Sequence, residues 1–97
     1  HVGALAMERL DAMKHRHQVI GDVRGRGLLI GVELVTDRDS KAPANDLAEA
    51  VMYRALDSGL SFKTSMGNVL TLTPPLTVTE AQMQQALDII DAALSGG

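Results

Sequence analysis

The sequence contains no cysteine and no tryptophan, and only one tyrosine and one phenylalanine. Without cysteine there is no disulfide frame, no thiolate nucleophile and no thiolate metal ligand. With 2% aromatic residues there is no platform for stacking nucleic-acid bases, and the core must be built from Leu, Val, Ile, Ala and Met. The nine Lys and Arg are outnumbered by twelve Asp and Glu and form no long basic block, which argues against a nucleic-acid partner. No apolar run approaches the roughly 18 residues that a membrane-spanning helix requires. No charged and apolar leader of the secretory type precedes the first helical pattern. Together these absences suit a cytoplasmic location.

What is present is a globular composition. The 97 residues are 45% hydrophobic, enough for one domain with one modest core. The chain starts with His1 and opens inside a helical pattern, which raises the expectation of a segment of a longer polypeptide.

Apolar residues Val2, Leu5, Ala6, Leu10 and Met13 recur at helical spacing and predict a helix over residues 2–14, ending near His15–Gln18. Ile20 to Val23 reads as a short extended segment. The glycines of Arg24-Gly25-Arg26-Gly27 then predict a tight bend. Leu28 to Val35 is the clearest strand, with Leu28, Ile30, Val32 and Leu34 on one face and Leu29, Gly31, Glu33 and Val35 on the other. Residues 36–44 read as a charged loop. A second helix follows, capped by Asn45 or Asp46, with Leu47, Ala48, Val51, Met52 and Ala55 as its buried stripe and Gly59 as its end. Leu60–Thr64 and Val69–Thr73 predict a hairpin, with Leu70 and Leu72 on the face opposite to Val69, Thr71 and Thr73. Pro74 and Pro75 stop the strand. Thr79 and Gln82 form a capping box for a last helix, whose stripe is Met83, Ala86, Leu87, Ile90, Ala93 and Leu94.

This order predicts an α+β fold: a small, mostly antiparallel sheet with helices packed on one face. The other face would carry Leu29, Gly31, Val35, Val69, Thr71 and Thr73. That set is too apolar for an ordinary solvated face and predicts docking against another domain or subunit.

No complete active site emerges from these patterns, so no catalytic residue is assigned. His15 and His17 flank Arg16 without a carboxylate or thiolate nearby in sequence, and read as a solvated helix end, not a metal site. The Arg24–Gly27 segment could offer backbone N–H groups and guanidinium to a phosphate. Its glycines are better accounted for by a bend needing positive φ or by close backbone packing, and the role of Arg24 stays open. Ser61, Thr64 and Ser65 lack a histidine and carboxylate partner in the pattern. Lys63 differs in parity from Leu60 and Phe62 and reads as a solvated lysine.

Two of these segments resemble a known family. Gly21-Asp22-Val23-Arg24-Gly25-Arg26-Gly27-Leu28-Leu29-Ile30-Gly31-Val32-Glu33 is similar to the G-D-V-R-G-x-G-L-x-x-G-x-E segment of class III aminotransferases. Asn68-Val69-Leu70-Thr71-Leu72-Thr73-Pro74-Pro75-Leu76 resembles the closing N-V-L-R-x-x-P-P-L segment of the same family. The two occur in the family's order and separation.

The resemblance implies a pyridoxal-phosphate enzyme of fold type I, of which residues 1–97 would be the C-terminal small domain. The cofactor lysine would then lie upstream in a large domain, the parent would be a homodimer, and this chain alone would be inactive and hold no cofactor. The implied reaction is transfer of an amino group between an amine or amino acid and a 2-oxo acid. Amino-acid racemisation or epimerisation on the same scaffold is the alternative, and a free-standing small-ligand or protein-interaction module is a second one. The resemblance also makes Thr71 a substrate-facing position, with Arg24 and Leu29 as interface or site-wall residues. Where this chain has Thr71, many members of the family carry an arginine that clamps a substrate carboxylate. A threonine hydroxyl cannot supply the paired, charge-assisted hydrogen bonds of that fork.

Overall fold

A computed structural model describes residues 2–26, 29–75 and 77–96. In chain order the elements are α1 (Val2–Arg16), β1 (Ile20–Arg26), β2 (Leu29–Asp37), β3 (Ala42–Pro43), α2 (Asn45–Asp57), β4 (Lys63–Ser65), β5 (Val69–Leu72) and α3 (Glu80–Leu94). The strands form one antiparallel sheet in the order β1-β2-β5-β4, with β3 pairing to the far end of β2. The fold is α+β, as the alternation of patterns implies.

The alternation in β2 and β5 sets the inside. Ile30, Val32 and Leu34 of β2 and Leu70 and Leu72 of β5 face the helices and are buried. They join Ala6, Leu10 and Met13 of α1, Ala48 and Val51 of α2, and Met83, Leu87, Ile90 and Ala93 of α3 in one core. Burying each Leu, Ile, Val or Met side chain contributes roughly 1.5–3 kcal/mol, so this cluster dominates the stability of a chain this small.

Arginines tie the helices together outside that core. Arg9 of α1 donates to the Gln84 carbonyl and to its side-chain Oε1 and pairs with Asp88. Arg16 and His17 meet Asp91 one helical turn further on, so α1 and α3 run in the same direction. Arg54 of α2 donates to the Ala93 carbonyl at 2.8 Å. The last turn of α3 has no basic residue of its own, and Arg54 supplies the cation that its negative end favours.

Several boundaries differ from the sequence expectations, each for a local reason. β1 does not bend at Arg24 but continues to Arg26, because Arg24, Gly25 and Arg26 pair with Gly31, Ile30 and Leu29. Gly25 allows close packing of α1: a Cβ there would lie 2.5 Å from Met7 Sδ, and the Met7 side chain would have to move aside. The expected Gly27 bend and the Leu28 strand position lie outside the described residues, as does Leu76. β2 runs on to Asp37, and β3 returns on it within what reads as a loop.

The start of α2 is also different. Its N-cap is Ala44, with no side-chain cap bond, while Asn45 and Asp46 lie exposed in the first turn. Ala44 is buried and donates its N–H to the Leu34 carbonyl, so the cap position is fixed by docking on β2.

At the other end of α2 the Leu60 N–H donates to the Ala55 carbonyl and the Gly59 N–H to that of Leu56, with Gly59 at φ 92°. This is a Schellman closure. It consumes the Leu60 N–H, and β4 therefore starts at Lys63 and not at Leu60. The Thr79–Gln82 capping box forms as expected.

Candidate functional site

The sheet has a second face, turned away from the helices. Register defines it. Arg24 of β1 lies opposite Gly31 of β2, Gly31 opposite Thr71 of β5, and Thr71 opposite Lys63 of β4. Directly opposed residues point to the same face with Cβ atoms about 5 Å apart, so these four positions form one row across the sheet. The next row is Asp22, Glu33, Val69 and Ser65.

The face is not uniformly open. Val35 is 1% exposed, where an open face was expected, because Gly21 brings the β1 backbone against it. A Cβ on Gly21 would lie 2.8 Å from Val35 Cγ1. Val69 is buried beside Gly31. Both valines stand apart from the main core and form the floor of the second face.

Arg24, Leu29 and Thr71, the three positions singled out in the sequence, gather on one shallow groove of about 390 Å³ together with Arg26, Gly31 and Val69. Leu29 is 54% exposed, a large apolar side chain open to solvent at its rim. Arg24 is exposed and held from one side, with Nε 3.3 Å from Asp22 and a terminal nitrogen 3.6 Å from Glu33. Thr71 is half-buried, and its hydroxyl lies 2.9 Å from the Ser65 hydroxyl. Gly31 leaves the floor between Arg24 and Thr71 without a side chain.

Thr71 also borders a larger cleft of about 700 Å³ at the β4 edge, between the end of β5 and the start of α3. Its apolar wall includes Phe62, Val78 and Met83, and its polar wall is Ser61, Lys63, Thr71 and Thr73 with Gln82. By parity alone Lys63 reads as a solvated lysine. The available signal was the hairpin register, which sets it beside Thr71.

The two histidines separate. His15 is exposed, while His17 Nε2 lies 2.6 Å from Asp91 Oδ1, its ring N–H donating to the carboxylate. Arg16 donates to the same carboxylate at 2.8 Å. No local pattern could reveal this cluster, because its partners are more than 70 residues apart. Among the described residues no three His, Asp or Glu side chains gather as a metal site.

Hydrogen bonding from Arg16, opposed by partial burial and aided by His17, holds the Asp91 carboxyl below its ordinary 3.8. The same pair raises Arg16. Because the folded value is depressed, the stabilisation is fully present above the ordinary carboxylate range and is lost as pH falls through the folded value. Thermal midpoints of the chain are therefore expected to drop on acidification below about pH 4, and Asp91→Asn should lower the neutral-pH midpoint while flattening that acid limb. An unchanged acid limb in the variant would remove Asp91 from this role.

No helix among the described residues is long and apolar enough to cross a membrane. Comparison with known proteins gives a consistent family. The family model described as aminotransferase class-III matches residues 1–94. The chain is 50% identical over 92 residues to (R)-1-hydroxy-2-aminoethylphosphonate ammonia-lyase of Vibrio splendidus, covering 95% of this chain and 19% of that protein. It is 45% identical over 94 residues to leucine/methionine racemase of Thermococcus litoralis, covering 97% of this chain and 21% of that one. An amine transaminase from an uncultivated Pseudomonas species, solved in its PLP-bound form, superposes with a TM-score of 0.90 at 32% identity, over 98% of this chain and 22% of its own. The chain thus spans about a fifth of the length of the relatives it matches. With the family model matched over nearly its whole length and both signature segments in adjacent strands of one sheet, the chain belongs to the class III aminotransferases.

Proposed function

We propose that this chain is the C-terminal small domain of a pyridoxal-phosphate-dependent enzyme, and that the second face of its sheet forms one wall of a substrate site completed by the rest of the parent polypeptide. The observation that carries this reading is the row Arg24, Gly31, Thr71 and Lys63, which gathers the family's two signature segments on a face with an open groove. The reaction proposed is transfer of an amino group between an amine or amino acid and a 2-oxo acid.

The chain's own residues do not fit the cofactor. Among the described residues no Asp or Glu lines the groove or the cleft to pair with a pyridinium nitrogen. Lys14 lies in α1 and Lys41 in the β2–β3 turn, both away from the second face, and Lys63 stands exposed on the edge strand. The cofactor is an electron sink, and it falls to the large domain of the parent to hold it. The part of this chain is to shape the site: Leu29 and Val69 exclude water, and Thr71 offers a hydroxyl where a guanidinium would grip a carboxylate. The substrate is therefore an amine, or an amino acid whose acid group is held elsewhere. A second copy of the parent is the expected partner, as a homodimer.

Racemisation or epimerisation is the second reading, favoured by Thr71 in the clamp position and by 45% identity to a racemase. Product analysis of the full-length parent loaded with pyridoxal phosphate separates the two. Transfer turns the donor into its carbonyl compound (an aldehyde or ketone from an amine, a 2-oxo acid from an α-amino acid), requires a 2-oxo acid acceptor, and converts that acceptor into an amino acid. Racemisation yields the enantiomer without one. Free ammonia, the product of a lyase, would overturn both. The chain alone is expected to turn over none of these substrates.

A further inference from the structure

Lys63 lies directly opposite Thr71 in the β4–β5 register, on the same face of the sheet. It is the one charged side chain among the described residues lining the edge cleft. Among those residues it has no carboxylate partner, in contrast to Arg24, which Asp22 and Glu33 neutralise at the other end of the row. Around it stand hydroxyl groups: Ser61, Thr71 and Thr73 line the same cleft, and Ser65 bonds the Thr71 hydroxyl at 2.9 Å. Next to these polar groups the cleft is apolar, with Phe62, Val78 and Met83.

A cation with no carboxylate partner among the described residues, sharing a cleft with hydroxyl groups and an apolar wall, has the chemistry of an oxyanion-binding subsite. We propose that Lys63 receives the anionic end of the substrate, a phosphonate, phosphate or carboxylate carried on an aliphatic amine, and so supplies from the neighbouring strand the positive charge that residue 71 lacks. The proposal rests on the reading that this face is a substrate wall.

The chemistry of the side chain narrows the class. A lysine ammonium is a compact point charge with three rotatable donors, whereas a guanidinium is a planar fork matched to a planar carboxylate. Lys63 with the Thr71 hydroxyl offers divergent donors, which suit the three oxygens of a tetrahedral anion better than the two of a carboxylate. The cross-strand spacing of about 5 Å lets both groups reach one such anion. Short aliphatic amines that end in a phosphonate are thus preferred over their carboxylate counterparts, and neutral amines gain nothing from Lys63.

The test uses the full-length parent loaded with pyridoxal phosphate. Its substrates are 2-aminoethylphosphonate, β-alanine and propylamine, and methylphosphonate and acetate serve as inert competitors. Lys63→Met is expected to raise KM for 2-aminoethylphosphonate and weaken inhibition by methylphosphonate by about ten- to a hundredfold, the range of a lost charge-assisted contact. Turnover of propylamine stays unchanged, and Lys63→Arg retains most of the anion affinity. If acetate inhibition falls as much as that of methylphosphonate, the subsite stands as a general oxyanion site and the preference for a tetrahedral anion is overturned. If only methylphosphonate responds, it stands as a phosphonate or phosphate site. Equal inhibition of Lys63→Met and the parent by both competitors overturns it.

Thr71→Trp separates this outcome from failure of the underlying reading, since a bulky side chain on the wall impairs every substrate alike. An impaired Thr71→Trp with a silent Lys63→Met removes the lysine and keeps the wall. When both variants are silent, the wall itself is lost.

Discussion

Replacing Leu70 with alanine is expected to destabilise the chain by about 2–5 kcal/mol, the range of buried Leu→Ala substitutions that leave a cavity. Leu70 is fully buried on β5, opposite Val32 of β2 on one side and Thr64 of β4 on the other. Its side chain enters the cluster made by all three helices, so no single element can shift to fill the gap. A chain of this length has on the order of 5–15 kcal/mol of total stability, and the substitution removes a large part of it. Leu29→Ala provides the contrast. The same chemical change at a residue 54% exposed on the second face should stay within about 0.5 kcal/mol. Urea unfolding midpoints of the two variants read the difference. Equal effects would mean that the two faces of the sheet had been wrongly distinguished.

That distinction was the most legible feature of the sequence. Alternation over Ile30, Val32 and Leu34, and over Leu70 and Leu72, needs only a period of two, and one buried face makes the register unambiguous. The Thr79 cap was legible because both halves of the box lie within four residues. What failed to show locally was set by distant parts of the chain. Ala44 became a cap because β2 buries it, and no property of Asn45 or Asp46 encodes that. Gly25 reads as a bend until α1 is known to lay Met7 across it.

The candidate site followed the same rule. Parity put Thr71 on the second face, and the resemblance of the proline-terminated segment to the class III family made it substrate-facing. Its neighbours came only from pairing, since Arg24 and Lys63 reach its row through two separate strand registers. Asp91 was invisible as a partner of Arg16 and His17 for the same reason.

Thr71→Arg in the full-length parent gives the largest functional effect to expect. An arginine at 71 places a guanidinium over the bare floor at Gly31, where the two N–H donors can meet a carboxylate side by side. The ratio of kcat/KM for a carboxylate-bearing amine over that for propylamine should rise about ten- to a hundredfold. The gain has a cost that the row itself predicts. Arg24 is already neutralised by Asp22 and Glu33, but Lys63 has no carboxylate partner among the described residues, and it faces residue 71 directly. Like charges in opposed positions destabilise a sheet by roughly 0.2–1 kcal/mol. Thr71→Arg should therefore lower the thermal midpoint slightly, and adding Lys63→Ser should restore it. If the arginine leaves the substrate ratio where it was, the second face does not meet the substrate. If Lys63→Ser fails to restore the midpoint, the charge conflict is not the source of the loss, and the strain lies in seating the longer side chain between Val69 and Ser65.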